Sequence, residues 1–317
     1  MVKLTTLILS LCVVFSPLLL NAGESKLEAA TFEMPTAEAN VNKVLTTDKL
    51  SASTKRIVVF VPGFFNSFAP EYFSSDIVSA MQAKGFTVVI AQKLNPVGTI
   101  EENGERVLYL FQNLRKLAPN AQLNVVGHSA GGLYALYAIN KGARDVKTLV
   151  TVSTPFNGVE FVENWRENSW LFKTLMDWAH LDGLRQLTTP FTQQFIKSVR
   201  VPSALKIIAY GGYQPVNWDI TNAANMSAVL SVTDKFITGP SDGVVSYESA
   251  VHTTEIPTTE KTLNKVRADR SVVLGLEHWE QVLDYRHFYL LGVRNPKLIR
   301  DRQIQFYSNV GNMLLLL

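Results

Sequence analysis

From Arg56 onward, short runs of β-branched and apolar residues alternate with longer stretches of helical spacing. Strands are predicted at Ile57 to Val61, Phe86 to Ala91, Leu123 to Val126, Thr148 to Val152, Leu205 to Tyr210 and Ser271 to Leu274. Each run is largely apolar, as expected of strands covered on both faces. Helices are predicted at Pro70 to Lys84, Glu101 to Leu117 and Gly131 to Asn140. The second carries Val107, Leu108, Phe111, Leu114 and Leu117 at helical spacing. This alternation predicts an α/β fold, a mostly parallel sheet with helices on both faces. Asn157 to Val201 breaks the rhythm: it is long, helical in pattern and carries Phe161, Trp165, Trp170, Phe172, Trp178, Phe191 and Phe195. It reads as an inserted cap. A stripe of Trp170, Leu171, Leu175, Trp178 and Ala179 would set large rings on one helical face, although an extra layer of ordinary core packing accounts equally well for the same pattern.

The first residues follow a different pattern. Lys3 precedes an apolar run from Leu7 to Leu20, and Leu20-Asn21-Ala22 offers small residues for cleavage, so residues 1–22 read as a signal peptide. The chain is then expected to be exported, to the periplasm or the medium. The run falls short of the roughly 18 uninterrupted apolar residues of a spanning helix, and an uncleaved anchor is the alternative. Residues 23–55, rich in Ala, Thr, Glu and Lys, read as a mobile leader, and 56–317 as a single domain. Met313 to Leu317 form an apolar end expected to dock on the body, with membrane contact as the alternative.

Composition narrows the chemistry. At 47% hydrophobic and 18% charged, the 317 residues suit a compact fold. The net charge of +3 is scattered, with no run dense enough to follow a phosphate backbone, which argues against nucleic acid as a partner. The only cysteine, Cys12, lies inside the N-terminal run, so a chain cut after Ala22 has no disulfide, thiolate metal site or cysteine nucleophile.

Gly127-His128-Ser129-Ala130-Gly131 stands between a predicted strand and a predicted helix. A serine hydroxyl is a weak nucleophile. It must be exposed on a sharp turn, given a base, and faced by donors for the oxyanion that develops. Ser129 is the candidate nucleophile, and the glycines around it permit the strained turn. Backbone donors are expected from Ala130 and from Phe64, in the loop Val61-Pro62-Gly63-Phe64-Phe65-Asn66. Among the five histidines, His278 follows the last predicted strand and opens a helical pattern, which places it at the carboxyl edge of the sheet. His128 should point away from the nucleophile. His180 lies in the cap, His252 follows an acidic loop, and His287 lies further along the final helical stretch. The orienting acid should fall between nucleophile and base. Asp242, bracketed by Pro240 and Gly243, fits best, and Asp219 is the rival.

Together with Ser153-Thr154-Pro155-Phe156-Asn157-Gly158, Ser241-Asp242-Gly243-Val244-Val245 and Glu277-His278-Trp279, the elbow resembles bacterial true lipases of the Pseudomonas type and their α/β-hydrolase relatives. The ordered motifs run from about Arg56 to Leu283. The resemblance implies the α/β-hydrolase fold, with Ser129, Asp242 and His278 as a catalytic triad and Phe64 and Ala130 at the oxyanion hole. It also implies acyl esters, those of lipids foremost, as substrates, contact with a lipid interface, and no organic cofactor. Three departures stand out. Pro62-Gly63 replaces the family's His-Gly. Glu280 stands where several relatives place an aspartate that holds a structural calcium, and could itself ligate through oxygen. The pair of lid cysteines is missing. The competing expectations are a thioesterase or lipid acyltransferase on the same residues, and a non-catalytic lipid-binding protein on the same scaffold. Oligomeric state is not legible in the sequence.

Overall fold

The computed structural model describes residues 50–66, 72–168, 182–215, 230–252, 255–284 and 295–317. The predicted signal peptide, most of the leader, and the segment holding Trp170, Leu171, Phe172, Leu175, Trp178, Ala179 and His180 lie outside these residues. So do Asp219 and His287.

All six predicted strands form, and they pair in one parallel sheet. They are β1 (Arg56–Val61), β2 (Thr87–Ile90), β3 (Gln122–His128), β4 (Val146–Val152), β5 (Lys206–Gly212) and β8 (Arg267–Leu274), in the order β2-β1-β3-β4-β5-β8. Alternate residues supply the two cores. Ile57, Val59 and Val61 of β1 face one hydrophobic cluster with Leu123, Val125 and Leu149, while Val58 and Phe60 face another with Val126, Val150 and Val152. Each fully buried side chain of this size contributes about 1.5–3 kcal/mol, so both faces are closed for sound energetic reasons.

Helices cover both faces. On the first lie α2 (Ile100–Leu117) and α3 (Ala130–Asn140), with Val107, Phe111, Leu114, Leu133 and Leu136 fully buried. The other is covered by α1 (Ser75–Gln82) and the last helix, α9 (Pro296–Leu316). The first of these starts later than predicted because Ser74 caps it, its Oγ accepting the N–H of Ile77. Likewise Thr99 caps α2, accepting from Glu102.

The insertion after β4 is helical where it is described: α4 (Glu160–Asn168), α5 (Asp182–Arg185) and α6 (Thr189–Ser198). Val162, Leu184, Leu187, Phe195 and Ile196 are buried in the first core cluster, and Phe161 and Phe191 pack on it from its rim. In this part the aromatic residues serve core packing. Two short helices follow, α7 (Leu230–Asp234) and α8 (Tyr247–Ala250), then an antiparallel pair, β6 (Glu255–Pro257) with β7 (Leu263–Lys265).

Two elements differ from expectation. The helical pattern at Trp279 to Leu283 is a single 3-10 turn, Trp279–Gln281, after which Leu283 bridges to Tyr72. The apolar C-terminal end docks on the body as expected, but as part of a long helix. It ends the 21-residue α9, whose Phe306, Tyr307, Val310 and Leu314 are buried, and Arg300 forks onto Asp76 of α1 at 2.8 and 2.9 Å. Leu314 docks as expected, while Leu316 stays 88% exposed.

After β1 the chain runs outward to β2 and then returns across β1 to β3. The connections leaving β1 and β3 therefore diverge and open a crevice at the carboxyl ends of these strands. Close approach there requires glycine. A Cβ on Gly131 would stand 2.1 Å from the Val61 carbonyl oxygen, and one on Gly127 would stand 2.6 Å from Gly132 Cα. Gly131→Ala must therefore push α3 off β1. It is expected to cost about 1–3 kcal/mol, lowering the melting temperature by about 2–4 °C per kcal/mol. An unchanged thermal melt would show that the strand and helix have room.

Candidate active site

Ser129 stands at the tip of the turn between β3 and α3, in the crevice, with φ 54° and ψ −134°. A non-glycine residue is rarely held there, because its Cβ crowds the backbone. Two contacts hold the turn. Ser129 N–H donates to the Val152 carbonyl at 2.9 Å, and its own carbonyl accepts from Thr154 Oγ1 at 2.9 Å. The following residue, Ala130, opens α3, so its N–H is among those at the helix N-terminus that have no acceptor within the helix.

The loop after β1 packs directly on this turn. A Cβ on Gly63 would stand 2.6 Å from Ser129 Cβ and 3.1 Å from Ala130 N, so only glycine lets the loop come this close. Its orientation is set from both sides. Gly63 N–H donates to the Tyr72 hydroxyl at 3.1 Å, and Asn66 Nδ2 donates to the Gly63 carbonyl at 3.0 Å. Because carbonyl and N–H of a trans peptide point in opposite directions, tethering that carbonyl turns Phe64 N–H the other way. Phe65, at φ 59°, donates its own N–H to Pro96 at 2.8 Å. Tyr72 and Asn66 thus do the supporting where Pro62 replaces the histidine of the resembled lipases.

Across the sheet, Asp242 and His278 meet. His278 Nδ1 lies 2.8 Å from Asp242 Oδ2, and both side chains are buried. Backbone bonding joins them as well, His278 N–H to the Asp242 carbonyl at 2.9 Å. The second carboxylate oxygen, Oδ1, accepts from Val244 and Val245 N–H at 3.0 and 2.8 Å, the tight loop between Pro240 and Gly243 folding back on its own side chain. Burial pushes the carboxyl's pKa up, but the charge and hydrogen bond of His278, with bonds from Val245 and Ser153, outweigh it and hold the pKa below the usual carboxylate range. The His278 ring packs 4.6 Å from that of His128, the residue before Ser129.

Of the other candidates, His128 is buried against Tyr72, its Nδ1 2.7 Å from the hydroxyl, and His252 is exposed on a loop. Glu280 is buried and folds back, its Oε2 accepting Glu277 N–H at 3.1 Å. Among the described residues no group of three or more His, Cys, Asp or Glu side chains gathers as a metal site.

Several contributors escaped the sequence reading. Gln281 Nε2 donates to Asp242 Oδ2 at 2.8 Å. Ser153, at φ 49°, accepts Gly212 N–H at 3.3 Å and bonds the Asp242 carboxyl. The C-terminal helix braces the turn carrying His278: Gln303 Nε2 donates to the Glu280 and Leu283 carbonyls at 2.7 and 2.8 Å, and Tyr307 to that of Gln281 at 3.2 Å. Only Ser153 had left a sequence signal, in the motif following β4.

The chain belongs to the α/β hydrolase fold family, whose model matches residues 56–236, more than half of the chain. Solved structures similar to it include the mature lipase BlEst2 of Bacillus licheniformis, 18% identical over 78% of this chain and 96% of that one, with a TM-score of 0.53. The Staphylococcus hyicus lipase is 15% identical over 85% and 97% of the respective chains, at 0.60. A metagenomic carboxyl esterase, MGS0156, is 15% identical over 86% and 79%, at 0.61. None of the curated protein sequences matches the chain.

Proposed function

We propose that this chain is an exported serine hydrolase that cleaves carboxylic esters, lipid acyl esters among them, through an acyl-enzyme. One observation carries the reading. A serine held at φ 54° between a strand and a helix N-terminus shares the sheet's carboxyl edge with a buried Asp–His pair. A strained, glycine-lined nucleophile turn has little structural use by itself.

In this reading Ser129 Oγ attacks the acyl carbonyl while His278 Nε2 takes its proton. The electron pair moves to the carbonyl oxygen, received by the N–H groups of Phe64 and Ala130. Asp242 keeps the proton of His278 on Nδ1, leaving Nε2 to act as base, and stabilises the imidazolium. Collapse of the tetrahedral intermediate breaks the ester bond, and His278 returns the proton to the leaving alkoxide. Water repeats the sequence on the acyl-enzyme and frees the acid. The structural likeness to lipases and an esterase supports the fold on which this chemistry runs, and the N-terminal apolar run supports export.

The substrate is tested with a series of p-nitrophenyl esters of increasing acyl length, with and without a lipid interface. Turnover that rises with chain length, and again when an interface is supplied, is expected. A preference for acyl thioesters over esters would move the assignment to thioesterase chemistry on the same residues. Folded protein that turns over neither, and takes no fluorophosphonate label, would overturn the hydrolase reading.

A further inference from the structure

Between the oxyanion loop and Asp242 lies a run of buried polar groups that the reaction itself does not use. The Tyr72 hydroxyl receives Gly63 N–H at 3.1 Å and sits 2.7 Å from His128 Nδ1. Of these two partners only Nδ1 can accept the hydroxyl's own proton, so the ring nitrogen is the acceptor. His128 is neutral, since burial and the facing His278 hold its pKa well below the ordinary histidine range. A neutral imidazole that accepts at Nδ1 carries its proton on Nε2.

That Nε2 is buried and makes no well-formed bond. The same holds for one other atom nearby. Gln281 Nε2 donates to Asp242 Oδ2, and because a carboxylate only accepts, this bond fixes which end of the carboxamide faces Asp242. Gln281 Oε1 is left as a buried acceptor without a well-formed bond. Two acceptors act on His128 by hydrogen bonding, the backbone of His278 and the side chain of Gln281, and of these Gln281 is the one that also reaches Asp242 through a side chain. One orphan donor and one orphan acceptor thus share a dry space, where leaving either unmet costs about 1–3 kcal/mol.

Resting on the ester-hydrolase reading above, we propose that Gln281 is a positioning residue which closes a buried relay, Gly63–Tyr72–His128–Gln281–Asp242, coupling the oxyanion loop to the carboxylate that orients His278. The N–H of Gly63 and the carboxylate of Asp242 are its two ends. A shift of the loop that breaks the Tyr72 bond is felt at His128, and through Gln281 at the oxygen that holds His278 Nδ1. The C-terminal helix supplies the fixed point, with Tyr307 bonded to the Gln281 carbonyl.

The relay is tested by a double-mutant cycle of Tyr72→Phe and Gln281→Met, both close to conserving volume, read on an ester substrate, together with nitrogen-15 NMR of the histidines in the unmodified protein. Each substitution is expected to lower kcat about tenfold with KM within about twofold, and the pair together by well under the hundredfold of independent sites. In the spectrum His128 is expected as the neutral Nε2–H tautomer, which Tyr72→Phe perturbs. Multiplicative losses, losses confined to KM, or an Nδ1–H tautomer at His128 would each overturn the relay. If Gln281→Met does not fold, the tautomer and the effect of Tyr72→Phe on it still decide. The NMR readout needs no turnover, so an inactive protein with the expected tautomer counts against the ester reading alone.

Discussion

Ser129→Ala is expected to lower kcat on esters by about a millionfold, the size of loss seen when a nucleophile that works as part of a unit is removed. Labelling by a fluorophosphonate, stoichiometric in the parent, should vanish with it. The fold should not change. Alanine keeps the Cβ that packs against Gly63, and keeps the strained backbone at φ 54°, so thermal unfolding is expected to stay close to that of the parent. Ser129→Gly separates reactivity from strain. It is equally inactive, but glycine occupies this region of φ and ψ without a Cβ clash, and should be more stable than Ser129→Ala by about 1 kcal/mol. Retained labelling in either variant would place the nucleophile elsewhere. Equal stability of the two would mean that the turn stores no strain.

The sheet was legible because each parallel strand contains a short, largely apolar run, a pattern that needs no knowledge of its neighbours. Ser129, Asp242 and His278 could be named for a related reason: glycine and proline mark the tight turns at strand ends, and few histidines were available. What stayed hidden is tertiary. Asn66, Tyr72 and Gln281 act through atoms brought together by folding, and Tyr72 and His128 are 56 positions apart when they meet. Nothing in a single sequence distinguishes Tyr72 from any other buried tyrosine. The C-terminal helix was missed differently. Its buried stripe of Ile299, Gln303, Phe306, Tyr307, Val310 and Leu314 has helical spacing, but Gln303 interrupts the apolar face and the obvious leucines cluster at the end. That glutamine is the residue that grips the His278 turn, so the feature that blurred the pattern is the functional one. The β6–β7 pair escaped because strands of three residues are too short to carry a detectable period.

Asp242→Asn should lower kcat by about ten thousandfold, the scale found when an orienting carboxylate becomes an amide. The hydrogen bonds say why. The carboxylate receives four N–H groups, from Val244 and Val245 on Oδ1 and from His278 and Gln281 on Oδ2. An amide has one oxygen. If it stays on the two backbone donors, its NH2 confronts His278 and Gln281, and His278 relieves the clash by moving its proton to Nε2, where it can no longer take one from Ser129. Stability against acid offers a second, independent readout. In the folded protein Asp242 is held below its usual value, despite burial that pushes the other way, by the charge and bond of His278 and by Val245 and Ser153. Its carboxylate therefore adds stability that is fully present above the unfolded value of about 3.9. That stability is lost as pH falls from there through the lower folded value, since the unfolded state then binds the extra proton. The parent's melting temperature should fall with added slope below about pH 4, a slope the asparagine variant lacks. Parallel curves for the two proteins would mean that the carboxylate gains nothing from its donors, and with that the reason for its hold on His278 would be gone.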